Sequence, residues 1–184
     1  MIPVKVAQVS LSNMGFVVFL RSQQDQRTLP VFIGPPEAQA IALVLDGVKP
    51  PRPLTHDLFK QVLDNLECRM KRVEICGLED NTFFARMVLE ANGLESAIDA
   101  RPSDALALAL RCGAPVLVAP EVMDAAGVIV RDPAGDGHLS LERAAPLTGA
   151  DKIEELKRRI AQAVEAEHYE EAARLRDELK KITN

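Results

Sequence analysis

Polar side chains crowd the start of an otherwise apolar segment in IDARPSDALALALR, residues 98–111. Pro102 suits the first position of a helix. The Asp104 carboxylate would then meet the free N–H groups and the positive end of that helix, which is worth roughly 0.3–1 kcal/mol. A helix start needs only one polar group of this kind, so the need to start a helix does not explain the presence of both Asp99 and Arg101. These two residues either form an ion pair that ties a strand to the helix, or they belong to a site that does chemistry.

Two other predicted helix starts carry groups of the same kind. In PRPLTHDLF, residues 51–59, Thr55 is a candidate N-cap and Asp57 suits the first turn. His56 is either an exposed side chain or a proton carrier or metal ligand, because imidazole titrates near neutral pH. Glu37 lies in the first turn of a third predicted helix. Carboxylates that are close together in space bind Mg²⁺ or Mn²⁺, and paired metal ions support phosphodiester cleavage, but sequence alone does not show whether these groups converge.

The overall composition limits the classes of function. The net charge is −5 and the pI is about 5.3, which argues against a dedicated nucleic-acid binder, since such proteins are usually basic. Three cysteines without CxxC spacing indicate reduced thiols rather than a disulfide framework or a zinc site. No apolar run approaches the roughly 18 residues of a membrane helix, and the N-terminus lacks signal-peptide features, so we expect a cytoplasmic protein without membrane association.

Hydrophobic patterning predicts an α+β fold, with a mixed or antiparallel sheet and about three helices, followed by a C-terminal two-helix hairpin. The predicted strands cover residues 2–12, 15–22, 28–34, 69–80, 81–93, 94–100 and 114–120. The predicted helices cover residues 35–47, 56–67 and 102–111. Runs of strands interrupted by helices, without a repeating βαβ unit or a Gly-rich phosphate loop, disfavour a doubly wound α/β fold.

The composition changes after the last of these elements, which predicts three parts. Residues 1–130 form the α+β domain, and residues 131–150, rich in Gly, Pro and Ala, form a linker. Residues 151–184 form a hairpin, because apolar residues recur at spacings of three and four on each of two helical stretches. Such a narrow apolar seam is too small to be stable alone, so we expect it to bind a protein partner.

Four stretches together resemble the bifunctional nuclease (BFN) domain over residues 1–130. In order along the chain they are LPVFIGPPEAQAIALVLDG, PRPLTHDL, LEDNTFFARMVLE and IDARPSDALALALR. The resemblance implies an α+β domain that tends to self-associate and a nuclease activity on DNA and RNA. The residues that match the polar motif positions of that family are Glu37, Arg52, His56, Asp57, Asp99, Arg101, Ser103 and Asp104.

The C-terminal segment resembles the UVR motif of nucleotide-excision-repair proteins. HYEEAARLRDELKKI carries the pattern of that motif, with Tyr where the family usually has Phe. In its other hosts the motif is a helical hairpin that docks on a similar hairpin in a partner. The resemblance therefore predicts the partner-binding residues Tyr169, Ala172, Leu175, Arg176 and Leu179.

The first functional hypothesis is a divalent-metal-dependent nuclease. Glu37, Asp99 and Asp104 would hold Mg²⁺ or Mn²⁺. His56 or Asp57 would orient or deprotonate water. Ser103, Asp99 and Asp104 are also predicted to be catalytic residues. Arg52 and Arg101 would neutralise phosphate charge.

The second hypothesis is not enzymatic. The domain would be an oligomeric or ligand-binding scaffold, and the UVR hairpin an adaptor that recruits a repair or proteolysis partner. Carboxylates that converge in a cleft would favour the nuclease, whereas motif residues that are buried in salt bridges would favour the scaffold.

Overall fold

The computed structural model describes residues 1–12, 15–131 and 140–143, together with Ile160, Leu175, Arg176 and Leu179. The chain divides into two compact units, Met1–Arg143 and Ala144–Asn184. In the second unit the four described residues are helical. Most of the predicted hairpin, including Tyr169 and Ala172, lies outside the described residues.

The first half of the larger unit is a three-stranded meander followed by two helices. Strands β1 (Ile2–Ser12), β2 (Gly15–Ser22) and β3 (Arg27–Ile33) pair antiparallel in sequence order. Helix α1 (Pro35–Leu45) follows, with proline in its first turn, and α2 (Thr55–Asn65) comes after a proline-rich connection. Because proline fixes φ and lacks an N–H, it is tolerated at a helix start and stiffens the connection.

The second half begins with another meander, β4 (Arg69–Glu79), β5 (Thr82–Ala91) and β6 (Leu94–Ala100). Its first turn, Asp80–Asn81, has positive φ at both residues, as a two-residue type I′ hairpin requires. The remaining elements are α3 (Pro102–Cys112), β7 (Val116–Val118), α4 (Pro120–Ala126), β8 (Val128–Arg131) and β9 (Ser140–Arg143).

All the strands of the described residues join one sheet in the order β6-β5-β4-β7-β1-β2-β3-β8-β9. The β4–β7 pair is parallel and the other pairs are antiparallel. The predicted α+β class with a mixed sheet is therefore confirmed. Residues of β3 and of the β4–β5 turn line the same cleft, although four strands separate β3 from β5, so the sheet is strongly curled.

Helix α3 lies at the centre of the core. It packs against α1 and α2 and against strands β4 and β5. The five consecutive residues 105–109 are all buried, because neighbours cover more than one face of this helix. Its alanines allow that close approach, while Leu106 and Leu108 supply apolar volume.

Four local features differ from the sequence-based expectation, and one of them is strand β8, where no strand was predicted. Helix α4 was not predicted, because it has only seven residues and gives too short a pattern for helical periodicity. Strand β9 lies inside the segment predicted as a linker, where it pairs with β8. Helix α2 begins at Thr55 with Leu54 as its N-cap, so the prediction of Thr55 as the cap was wrong by one residue. In the part of the chain that the structure describes, no helix has the length and apolar character needed to cross a bilayer.

We expect Leu106→Ala to lower the free energy of unfolding by about 2–5 kcal/mol, because it removes a fully buried side chain and leaves a cavity in the core. Chemical denaturation monitored by circular dichroism would measure the change. The matched control is Leu94→Ala, since Leu94 is 76% exposed and its loss should change stability by less than about 0.5 kcal/mol. Similar losses for the two variants would contradict the described core.

Candidate functional site

The beginnings of helices α1, α2 and α3 meet on one side of the larger unit. Arg101 is the N-cap of α3, and Asp104 lies in its first turn. Glu37 lies in the first turn of α1. His56 is the second residue of α2. These side chains come from three separate segments, so only the packing of the helices brings them together.

The four side chains form a continuous chain of polar contacts. Arg101 Nη2 lies 3.0 Å from Glu37 Oε1, and Arg101 Nε donates a 2.7 Å hydrogen bond to Asp104 Oδ2. The other carboxylate oxygen of Asp104, Oδ1, lies 3.4 Å from His56 Nε2. Arg101 therefore bridges two carboxylates, and Asp104 connects the arginine to the histidine. We call Glu37, Arg101, Asp104 and His56 the polar cluster.

Exposure differs across the polar cluster in a way that matters for chemistry. The Arg101 side chain is 67% exposed, whereas those of Glu37, His56 and Asp104 are 16, 17 and 33% exposed. The guanidinium is therefore accessible to a ligand, while the groups that hold or adjoin it are partly shielded. Such ion pairs add little stability when solvent reaches them, so their main effect is to orient the arginine.

A cleft of about 380 Å³ opens beside the polar cluster. It is lined by the end of β3 with Gly34, by Asn81 of the β4–β5 turn, and by Thr82 and Phe83 at the start of β5. Glu37, Arg101 and the largely buried Ser103 also line it. A Cβ at Gly34 would collide with Glu37 Oε2, so a larger residue there would force the Glu37 carboxylate to move. The residues that line the cleft therefore include a cation, Arg101, that is paired with a carboxylate, Glu37.

The predicted metal ligands do not assemble into one group. Among the described residues, no cluster of three or more His, Cys, Asp or Glu side chains could hold a metal ion. Glu37 and Asp104 share the Arg101 guanidinium instead, and Asp99 is exposed on β6, opposite Arg86. The donor set that we predicted for Mg²⁺ or Mn²⁺ therefore does not fit a three-ligand protein site.

Asp57 points away from the polar cluster and ties the helices together. Its Oδ1 accepts a 2.6 Å hydrogen bond from Arg111 Nε, and its Oδ2 accepts one from the Leu54 N–H. Arg111 is buried, and its Nη1 also donates to the carbonyl oxygens of Ala40 in α1 and Ala107 in α3. Partial burial raises the pKa of Asp57, but the bond from Arg111 and the Leu54 N–H outweigh it and hold that pKa below its usual value.

Sequence reasoning missed the role of Arg111, although a signal was present. Arg111 follows Asp104 by seven residues, which is about two helical turns, so both lie on nearly the same face of α3. A charged residue on a face shared with a motif aspartate is a candidate for a buried ion pair. By contrast, the predicted phosphate ligand Arg52 is exposed in the connection before α2 and makes no ion pair with another described residue.

Comparison with known proteins identifies the family to which this site belongs. The model of the bifunctional nuclease domain matches residues 18–131, a range that contains the polar cluster and the cleft. The chain belongs to the bifunctional nuclease domain family. The model of the UvrB/uvrC motif matches residues 150–184, so the chain carries this motif after the nuclease domain in the sequence.

The individual relatives agree with this assignment. "Uncharacterized protein Rv1829" of Mycobacterium tuberculosis is 40% identical over 141 residues, which are 77% of this chain and 80% of that protein. "Bifunctional nuclease 2" and "Bifunctional nuclease 1" of Arabidopsis thaliana are 29% and 27% identical. These alignments cover 84% and 82% of this chain, which spans about half the length of each plant protein.

The predicted partner-binding residues of the UVR motif are only partly described. Leu175 is buried and Arg176 is exposed, and Leu175, Arg176 and Leu179 are helical. An alternation of a buried apolar and an exposed charged residue suits one helix of a hairpin. Their binding of a partner stays a prediction.

The Asp57–Arg111 pair gives a testable dependence of stability on pH. Asp57→Asn should lower the free energy of unfolding at pH 7 by roughly 1–3 kcal/mol, because it removes the charge opposite a buried guanidinium. Since the pKa of Asp57 is lowered in the folded state, the stabilisation is complete above the unfolded pKa of about 4 and is lost as pH falls through the folded value. The difference between the two proteins should therefore be constant from pH 7 to about 5 and shrink below about pH 4.

Urea denaturation at several pH values would measure this difference. Asp99→Asn is the matched control, because Asp99 is exposed and makes no ion pair with another described residue. A difference for Asp57→Asn that grows as the pH falls would contradict the described ion pair.

Proposed function

We propose that this protein is a nuclease that hydrolyses phosphodiester bonds of DNA and RNA at the polar cluster. The observation that carries the proposal is the contact chain from Glu37 through Arg101 and Asp104 to His56, which borders a cleft in a domain of the bifunctional nuclease family. Three helix N-termini point toward this place, and their partial positive charge favours an anionic group such as phosphate.

The cluster and the adjoining Ser103 offer groups for the main roles in hydrolysis. His56 Nε2 faces Asp104, so Nδ1 would take a proton from the attacking water as its oxygen bonds to phosphorus. The P–O bond to the leaving oxygen would break in the same displacement, and His56 would return the proton to that oxygen. Arg101 would neutralise charge on the phosphate oxygens, because it is accessible and held by two carboxylates. Ser103, which lines the cleft, would donate a hydrogen bond to the bound phosphate.

We also propose that hydrolysis depends on Mg²⁺ or Mn²⁺, held by two protein carboxylates and by the substrate rather than by three protein ligands. Mg²⁺ is commonly held by one or two carboxylates together with substrate phosphate oxygens rather than by a protein cage. In this chain Glu37 and Asp104 would supply such carboxylates. Arg101 already forms ion pairs with both carboxylates. The requirement for a metal ion and the requirement for Arg101 must therefore be tested independently.

We expect Arg101→Ala, Asp104→Asn and His56→Ala each to lower kcat by roughly 100-fold or more, since each removes a charge or a proton acceptor from the reaction. Cleavage of fluorescent single-stranded DNA and RNA would be measured with Mg²⁺, with Mn²⁺ and with EDTA. Arg21→Ala is the matched control, because Arg21 is an exposed arginine that does not line the cleft.

Circular dichroism and thermal unfolding would establish that the variants are folded. Full cleavage by all three folded variants would place the activity elsewhere or in a contaminant. The absence of cleavage by the wild-type protein under every condition would favour the alternative function, a scaffold that recruits partners. That alternative is supported by the salt bridges that already engage Glu37 and Asp104.

The UVR segment supports a recruiting role in either case. We propose that residues 151–184 dock on a hairpin of a protein partner and so bring the nuclease domain to its substrate. Support comes from the match of the UvrB/uvrC motif and from the apolar seam in the sequence. The cytoplasmic location predicted from the sequence stays a prediction.

The predicted homo-oligomer has a candidate interface on α2. Among its large apolar residues only Leu63 is buried, whereas Leu58, Phe59, Val62 and the following Leu66 are exposed. Contiguous exposed apolar side chains of this kind commonly mark protein interfaces. We propose that a second copy of the chain covers this face.

We expect Val62→Glu with Leu66→Glu to shift the protein toward monomer, because association would bury two unpaired carboxylates. Size-exclusion chromatography with light scattering would measure the mass at several concentrations. Leu11→Glu serves as the control, because Leu11 is an exposed leucine of β1 outside this face. A wild-type protein that is monomeric throughout would contradict the proposal.

A further inference from the structure

An exposed aromatic side chain stands at the cleft. Phe32 lies near the end of β3 and lines the same cleft as Glu37, Arg101 and Ser103. It is 49% exposed, while its neighbour Val31 on the other face of the strand is buried in the core. The fold therefore leaves a large apolar side chain half exposed at a cleft that Arg101 also lines.

The surroundings of Phe32 suit an ordered ligand better than a second protein surface. Asn81 of the β4–β5 turn and Thr82, the first residue of β5, also line the cleft, and both carry neutral polar side chains. The volume of about 380 Å³ is within the usual range for small-molecule pockets, roughly 300–1,000 Å³. An aromatic ring, a cation and neutral hydrogen-bonding groups within one such pocket match the parts of a single nucleotide.

Proteins bind single-stranded nucleic acid by combining cationic contacts to phosphate with aromatic rings on which bases stack. The faces of bases inside a duplex are covered by neighbouring bases, so a ring beside the backbone gains nothing from a duplex. A flexible single strand can turn one base onto the ring while its phosphate stays on the arginine. The arrangement of Phe32 and Arg101 therefore discriminates between the two forms.

We propose that Phe32 is a base-stacking platform that makes this cleft select single-stranded over duplex nucleic acid. The inference rests on the proposed nuclease function and adds the substrate class and the residue that sets it. Phe32 is a specificity residue in this scheme, since it contacts a base and takes no part in the transfer of protons or in the displacement at phosphorus.

Binding should be measured with three labelled 12-nucleotide probes that carry cleavage-resistant phosphorothioate linkages. They are a single strand, the same strand with abasic residues throughout, and the duplex. For the wild-type protein we expect the single strand to bind about 5- to 150-fold more tightly than the abasic strand, which is the effect of one stacked base. Phe32→Ala should abolish that preference without changing the affinity for the abasic strand.

Two further variants separate stacking from general effects on the surface. Phe32→Tyr should keep the preference, because its ring can still stack. Phe84→Ala is the matched control, since Phe84 is a comparably exposed phenylalanine, at 40%, that does not line the cleft. It should bind all three probes like the wild-type protein.

A spectroscopic test needs no comparison of affinities. The chain contains no tryptophan, so Phe32→Trp introduces a single fluorophore at the site. Stacking should quench its fluorescence when the single strand is added, and the abasic strand should leave it unchanged. Equal responses to both probes would overturn the proposal.

The outcomes separate this inference from the proposed hydrolysis. If the wild-type protein cleaves DNA or RNA but Phe32→Ala keeps the full preference for the single strand over the abasic strand, the stacking proposal is wrong and the nuclease proposal is retained. If the preference depends on Phe32 but nothing is cleaved, hydrolysis is wrong and the binding cleft stands. Failure of the wild-type protein to bind any probe would overturn both.

Discussion

The geometry of the site depends on the buried guanidinium of Arg111. An unpaired charge in the protein interior costs several kcal/mol, so the surrounding groups must satisfy its donors. Asp57 from α2 and the carbonyl oxygens of Ala40 and Ala107 from α1 and α3 do so. The three helices whose first turns form the polar cluster are thus connected through one side chain, and a shift of any of them would leave a donor without its partner.

Two arginines of the α3 region show how burial decides the role of a residue type. Arg111 is almost fully buried, and its contacts serve the packing of helices. Arg101, at the other end of the helix, contacts two carboxylates but remains open to water. Those two ion pairs are solvent-exposed and add little to stability. Their physical effect is to restrict the guanidinium to the edge of the cleft, which reduces the ordering that binding a phosphate would require.

Much of the secondary structure could be predicted because the signals are local. β-branched runs and tight turns located the two meanders, and Pro102 with Asp104 located the start of α3. The exceptions have local causes too, since α4 and β9 are too short to show a period. For α2 the apolar pattern was recognised, yet Leu58 and Val62 are exposed in the structure. Periodicity defines a face of a helix and carries no information about what covers it.

The sequence identified the residues of the polar cluster among its candidates, but it did not predict which of these residues contact one another. Sequence motifs singled out Glu37, His56, Arg101 and Asp104, and the fold brings these four together. The same motifs also included Asp57 and Asp99. The structure turns Asp57 toward Arg111 and leaves Asp99 on an edge strand. Which carboxylate meets which cation depends on the direction of each side chain from its element, and that direction is settled only when the elements pack.

The sequence by itself determined the α+β class, the three polar helix starts and the family resemblance, because these follow from composition, short-range patterning and motif order. Only the tertiary structure decided that the starts converge, that Arg101 lies between Glu37 and Asp104, and that Phe32 lines the same cleft as Arg101. The physical reason is that these relations join residues far apart in the chain. They arise from the curl of the sheet and the packing of α1 and α2 on α3, which no local stretch encodes.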